Sequence, residues 1–167
     1  MILVLGDAQF DIDLEKTMDY YAREGEERCD CAYCRNFSAA VDRLYPNLRK
    51  FLSQFGIDID TPDSSMPYDY PNEMWYENTY CVAGNILKGE MYSFTVDGVE
   101  VYACKDVPHT NAACSDAHFF LCVGMIILPW VLEEPMHDVL SPANEPSFLR
   151  KMWDKLLSRI EKTDLTS

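Results

Sequence analysis

The chain has 167 residues, of which 48% are apolar, with 10 Tyr, 8 Phe and 3 Trp. That is the size and apolar content of one folded domain, and it argues against disorder as the resting state. With 28 acidic and 14 basic residues the formal net charge is −14, a surface that repels nucleic-acid phosphates and anionic membranes and suits a basic protein partner.

Met1 to Leu5 is apolar, but it lacks a basic flank and soon meets Gly6-Asp7. It reads as a short strand or an ordered tail, not as a secretory signal. The longest apolar run, Phe119 to Leu132, is too short to span a bilayer and contains Pro129. Seven cysteines are an odd count for a closed disulfide framework. These features predict a cytoplasmic protein with reduced thiols.

The chain reads as a single domain over 1–167, with a helical part at about 11–56. Asp13 opens a first helix, roughly 13–24, closed by Gly25, with Leu14, Met18 and Tyr21 on one face. Tyr33, Phe37, Ala40, Val41, Leu44, Leu48, Phe51, Leu52 and Phe55 then recur at helical spacing. They predict an amphipathic helix from about 31 to 55, ended by Gly56, with a kink or restart at Pro46. Leu48, Phe51 and Phe55 are expected inside, Arg49 and Lys50 outside.

Residues 57–73 read as a connector, with Pro62, Pro67 and Pro71 among several Asp residues. A sheet follows over about 74–132, with strands at Trp75–Leu87, Met91–Val96, Val99–Cys104 and His118–Leu128. Asp97-Gly98 predicts a two-residue hairpin with Phe94 and Val96 opposite Val99 and Val101. A C-terminal helix is expected at about 146–162, with Phe148 to Ile160 as its amphipathic stretch. The expected fold class is therefore α+β: N-terminal helices, an antiparallel sheet of about four strands, and a closing helix.

One stretch is chemically pointed: Cys29-Asp30-Cys31-Ala32-Tyr33-Cys34-Arg35-Asn36-Phe37. With Asp30 as N-cap, Cys31 and Cys34 fall in the first helical turn at i and i+3, and Cys29 folds back toward them. A helix start favours thiolates, the metal-binding form. Three thiolates are one ligand short of a tetrahedral zinc site. His109, Cys114 and His118 are the candidates for the fourth. Three readings stay open: a zinc site, a cluster of free thiols, or redox chemistry. Cys81, Cys104 and Cys122 lie in predicted strands and read as small buried hydrophobes.

Two resemblances attach to this stretch. Cys31-Ala-Tyr-Cys34 resembles the CPYC of glutaredoxins over four residues, but the polar run Arg23 to Arg28 stands where that fold needs a strand. More broadly, Tyr20-Tyr21, Gly25-Glu26, Cys29-Asp-Cys31, Cys34-Arg35-Asn36-Phe37, Tyr45-Pro46 and Gly56-Ile57-Asp58 resemble small uncharacterised proteins of Gram-positive bacteria and their phages. That resemblance implies a shared fold and compartment and assigns no activity. No GxGxxG, GxxxxGK, GxSxG or HExxH motif occurs. The leading expectation is a non-enzymatic acidic interaction protein with a thiol cluster. The alternative is a thiol-dependent redox protein or sensor using Cys31 and Cys34.

Overall fold

In the computed structural model, residues 1–25, 28–70, 73–108, 110, 112, 114–134 and 136 are described. The elements run β1 (Ile2–Leu5), β2 (Ala8–Ile12), α1 (Leu14–Glu24), α2 (Ala32–Leu44), α3 (Pro46–Ser53), β3 (Ser64–Tyr70), β4 (Glu73–Lys88), β5 (Ser93–Val96), β6 (Val99–Cys104) and β7 (His118–Pro129). The fold is α+β, but among the described residues the antiparallel sheet has seven strands, not about four. Its order is β1-β2-β4-β7-β6-β5, with β3 also paired to β4. The expected C-terminal helix lies outside the described residues.

The extra strands have physical reasons. Ala8, Phe10 and Ile12 alternate inward with Gln9 and Asp11, a period-2 pattern of only five residues between a turn and a helix cap. β3 runs through the stretch expected to be a connector. Among the described residues it pairs only with β4, so there its other side is an edge. Edge strands tolerate proline, and Pro67 sits there opposite Tyr76.

Elsewhere the sequence pattern holds. Val96 faces Val99 and Phe94 faces Val101 across the hairpin. Asp97 and Gly98 take φ of 52° and 80°, the left-handed pair that such a tight turn requires. Pro46 restarts the long helix as α3, with Tyr45 between the two halves. Leu48 and Phe55 are fully buried, Phe51 partly so, and Lys50 is exposed. Arg49 is not simply exposed: it pairs with Asp42, Asp58 and Asp60. On α1, Thr17, Tyr20 and Tyr21 are buried, while Met18, read on one face with Leu14 and Tyr21, is 58% exposed.

The long strand β4 organises the layer. β3 pairs with its residues 73–79 and β2 with 84–88. Between them, side chains and α1 complete the edge. Cys81 N–H donates to Asp63 Oδ2 at 2.6 Å, and Ala83 N–H donates to Thr17 Oγ1 at 3.1 Å. Tyr21 Oη donates to the Cys81 carbonyl at 2.9 Å, and Asp13 N–H donates to that of Ala83 at 2.9 Å. No backbone group of this gap is left unpaired, which burial demands. At Gly84 β2 lies on bare backbone: a Cβ there would come within 1.9 Å of the Asp11 carbonyl oxygen. The helices cover the core through aromatic contacts. Phe10 stacks on Phe119 at 5.5 Å and meets Phe55 edge-on at 5.4 Å.

Candidate metal centre

Cys31, not Asp30, is the N-cap of α2. Its φ of −71° and ψ of 161° are extended, while its carbonyl already accepts Arg35 N–H at 3.0 Å. Cys34 is thus the third helical residue, and its side chain turns back toward the cap. Cys29 returns from the preceding segment. The three Sγ atoms all lie within 4.8 Å of one another, close enough to share a metal ion. Cys29 and Cys31 are exposed and Cys34 is partly buried.

The thiols are not electrostatically equal. Burial opposes ionisation of Cys31, but the backbone N–H of Cys34 and the neighbouring thiols outweigh it, so Cys31 sits below the ordinary thiol range. Cys34 is pushed well up, first by burial and then by hydrogen bonds with Cys31 and Cys29. Cys31 thus ionises more readily than Cys34, whose ionisation burial opposes.

The residues after Cys34 anchor this turn. Arg35 donates to the Asp30 carbonyl and pairs with the Glu134 carboxylate, tying the thiol loop to the chain beyond β7. Asn36 is fully buried. Its Nδ2 donates to Tyr76 Oη and to the Pro129 carbonyl, each at 3.2 Å, and its Oδ1 accepts Val131 N–H at 2.8 Å. Tyr76 Oη in turn donates to the Tyr33 carbonyl at 3.0 Å. Sequence reading quoted Arg35 and Asn36 but gave them no role. A signal was present: Asn36 lies four residues before Ala40 on the apolar face, where a polar group needs buried partners.

The thiols border a cavity of about 560 Å³ that also touches Tyr20, Phe37 and Asp63. Asp63, read as connector, accepts hydrogen bonds from Tyr20, from Tyr21 at 3.2 Å and from Cys81 N–H. Burial raises its carboxyl above the usual range.

Two of the three candidate fourth ligands, Cys114 and His118, fall elsewhere. Cys114 is buried with its Sγ 2.9 Å from that of Cys81. His118 opens β7, with Nδ1 2.8 Å from the Ser115 carbonyl oxygen and its ring edge-on to Phe120. Neither joins the three thiols, and among the described residues no fourth His, Cys, Asp or Glu completes the group. His109 lies outside the described residues. Cys81, Cys104 and Cys122 are buried in β4, β6 and β7. Among the described residues no helix is long and apolar enough to cross a membrane. Comparison with protein-family models, curated proteins and solved structures finds no match to the chain.

Proposed function

We propose that the chain is a non-enzymatic, acidic interaction protein of the cytoplasm whose helical front end is ordered by a zinc ion held on Cys29, Cys31 and Cys34. The observation that carries this reading is the convergence of the three Sγ atoms within 4.8 Å at the start of α2. Zinc bonded to sulfur at about 2.3 Å sets tetrahedral sulfurs about 3.8 Å apart, within reach of small side-chain rotations. Thiolates are soft donors that suit zinc, and a dication at this point offsets the cost of ionising the inner thiol. His109 is retained as fourth ligand, since a histidine nitrogen completes three thiolates in a common structural zinc site. The net charge of −14 directs the protein toward a basic partner.

Elemental analysis of the purified protein tests this. One zinc per chain is expected, lost in Cys34→Ser, weakened in His109→Ala and unchanged in His118→Ala. The opposed shifts of Cys31 and Cys34 favour a second reading, a redox protein or sensor using that pair. Metal-free protein with one thiol that alkylates rapidly below the ordinary thiol pKa would replace the zinc reading by this one.

A further inference from the structure

A different pair of thiols meets behind the metal centre. Cys81 lies within β4 and Cys114 in the segment that leads into β7, 33 residues further along the chain. Their sulfurs are 2.9 Å apart, and Cys114 N–H also donates to the Cys81 sulfur at 3.3 Å. A disulfide needs about 2.05 Å, so the sulfurs must close by less than about 1 Å. Cys104 and Cys122 form another close pair at 3.3 Å across the β6–β7 ladder.

The two pairs differ in access. Cys114 lines an open groove of about 760 Å³, and Cys104 and Cys122 line neither that groove nor the cavity of the metal centre. Asp11, Asp13, Asp116 and Lys16 also line the groove. With the Met1 ammonium also on the groove, three carboxylates against two ammonium groups leave it net negative and favour a cationic visitor over an anionic one.

We propose that Cys81 and Cys114 are a reversible dithiol–disulfide couple that exchanges with small cationic disulfides entering through the groove. The reaction is balanced by exchange alone. The Cys114 thiolate attacks one sulfur of the small disulfide, its S–S bond breaks, and half of it leaves as a thiolate that takes up a proton. Cys81 then attacks the Cys114 sulfur of the mixed disulfide, and the second half leaves in the same way. Two protein thiols and one small disulfide become one protein disulfide and two small thiols. The protein sulfurs give up two electrons, the small disulfide accepts them, and the two thiol protons end on the leaving groups.

The roles follow from geometry and environment together. Cys114 is buried at 8% exposure but lines the groove, so it is the cysteine an incoming disulfide reaches first; Cys81 is fully buried and resolves. Their shared hydrogen bond holds Cys114 below the ordinary thiol range and pushes Cys81 up. This is the division between attacking and resolving thiols that exchange chemistry requires. The couple does not depend on the zinc reading, since no residue is shared.

The test treats the native protein with cystamine, alkylates the remaining thiols after unfolding, and maps unreduced peptides by mass. The expected product links the peptides of Cys81 and Cys114, two hydrogens lighter than their thiol forms, and dithiothreitol restores both. Cys104 and Cys122 stay alkylatable. Oxidised glutathione, being anionic, gives the same link at least several-fold more slowly. In Cys81→Ser a cysteamine adduct is trapped on Cys114. In wild-type protein, free Cys81 and Cys114 after Cys29, Cys31 and Cys34 have reacted would overturn the proposal. So would a Cys114 adduct that never resolves, or an equally fast Cys104–Cys122 bond. These readings use the wild-type chain, so misfolding of a variant leaves them decisive.

Discussion

The cysteines of this chain occupy two contrasting environments. Cys29, Cys31 and Cys34 sit at the open start of a helix, held by a buried asparagine and an arginine clamp beneath them. Cys81, Cys104, Cys114 and Cys122 are buried within or against the sheet. The first group has its positions set by polar anchors and its chemistry left exposed. The second fills volume, and only at Cys114 does it reach an open groove. The same element thus forms a cluster that could hold a metal ion in one place and lies buried in the other, and what separates the two is how much backbone and solvent surround the sulfur.

Metal removal gives the largest expected contrast. A zinc ion present at a thousand times its dissociation constant stabilises the fold by about 4 kcal/mol. A chelator should therefore lower the melting temperature of the wild type and leave the Cys29→Ser, Cys31→Ser, Cys34→Ser triple variant unmoved. Thermal unfolding with and without chelator checks it; equal shifts in both proteins would dissolve the distinction between the two groups.

Next in size is the anchor under the thiol turn. Asn36→Ala leaves the Pro129 carbonyl and Val131 N–H without their partner. With each such group costing about 1–3 kcal/mol, the expected loss is on the order of 3 kcal/mol, with weaker zinc binding. Denaturant unfolding and zinc titration measure both. A large stability loss with intact zinc affinity would show that Asn36 serves the sheet alone.

A smaller effect separates the sulfurs themselves. Cys122→Ser places a hydroxyl in the apolar sheet and should cost about 1–3 kcal/mol. Cys29→Ser in metal-free protein should change stability by no more than about 0.5 kcal/mol, as exposed positions do. Parallel urea curves decide it, and equal costs would contradict the burial contrast.

The smallest effect compares two helix starts. α2 begins at thiols, whereas α3 begins under the carboxylate of the hairpin tip. Asp97 accepts Asn47 Nδ2 and Asn47 N–H at 2.7 Å each, and Leu48 N–H at 3.2 Å. Hydrogen bonds from the Asn47 side chain, then from these backbone groups, hold its carboxyl below the usual range. Its contribution is therefore present above the unfolded-state value near about 3.9 and is lost as pH falls below it. Asp97→Asn keeps a residue that tolerates the turn. It should lower the melting temperature slightly at neutral pH, with the difference shrinking as pH falls below about 4. A difference that grows on acidification would give the carboxylate the opposite role.

Much of this arrangement was legible in the residues, and the rest was hidden for physical reasons. The hairpin could be read because Asp97-Gly98 joins alternation on both sides. The restart at Pro46 followed from a missing N–H. The thiol cluster was visible because three cysteines fall within six residues. β3 was hidden because Pro67 within it looks like loop chemistry until an edge position permits it. β1 was legible as one of two alternatives for Met1 to Leu5, but β2 was hidden because five residues of alternation barely exceed noise. The Cys81–Cys114 contact joins positions 33 residues apart, and no local pattern encodes such a distance. Asp63 was passed over because its three donors come from α1 and β4, elements that only the folded chain brings to it.

Zinc-edge X-ray absorption on the purified protein tests the central claim most directly. A shell of three sulfurs at about 2.3 Å and one nitrogen at about 2.0–2.1 Å is expected, with the sulfur shell depleted in Cys34→Ser. Zinc bound only by nitrogen and oxygen, or a protein that takes up no zinc with all three thiols reduced, would contradict it.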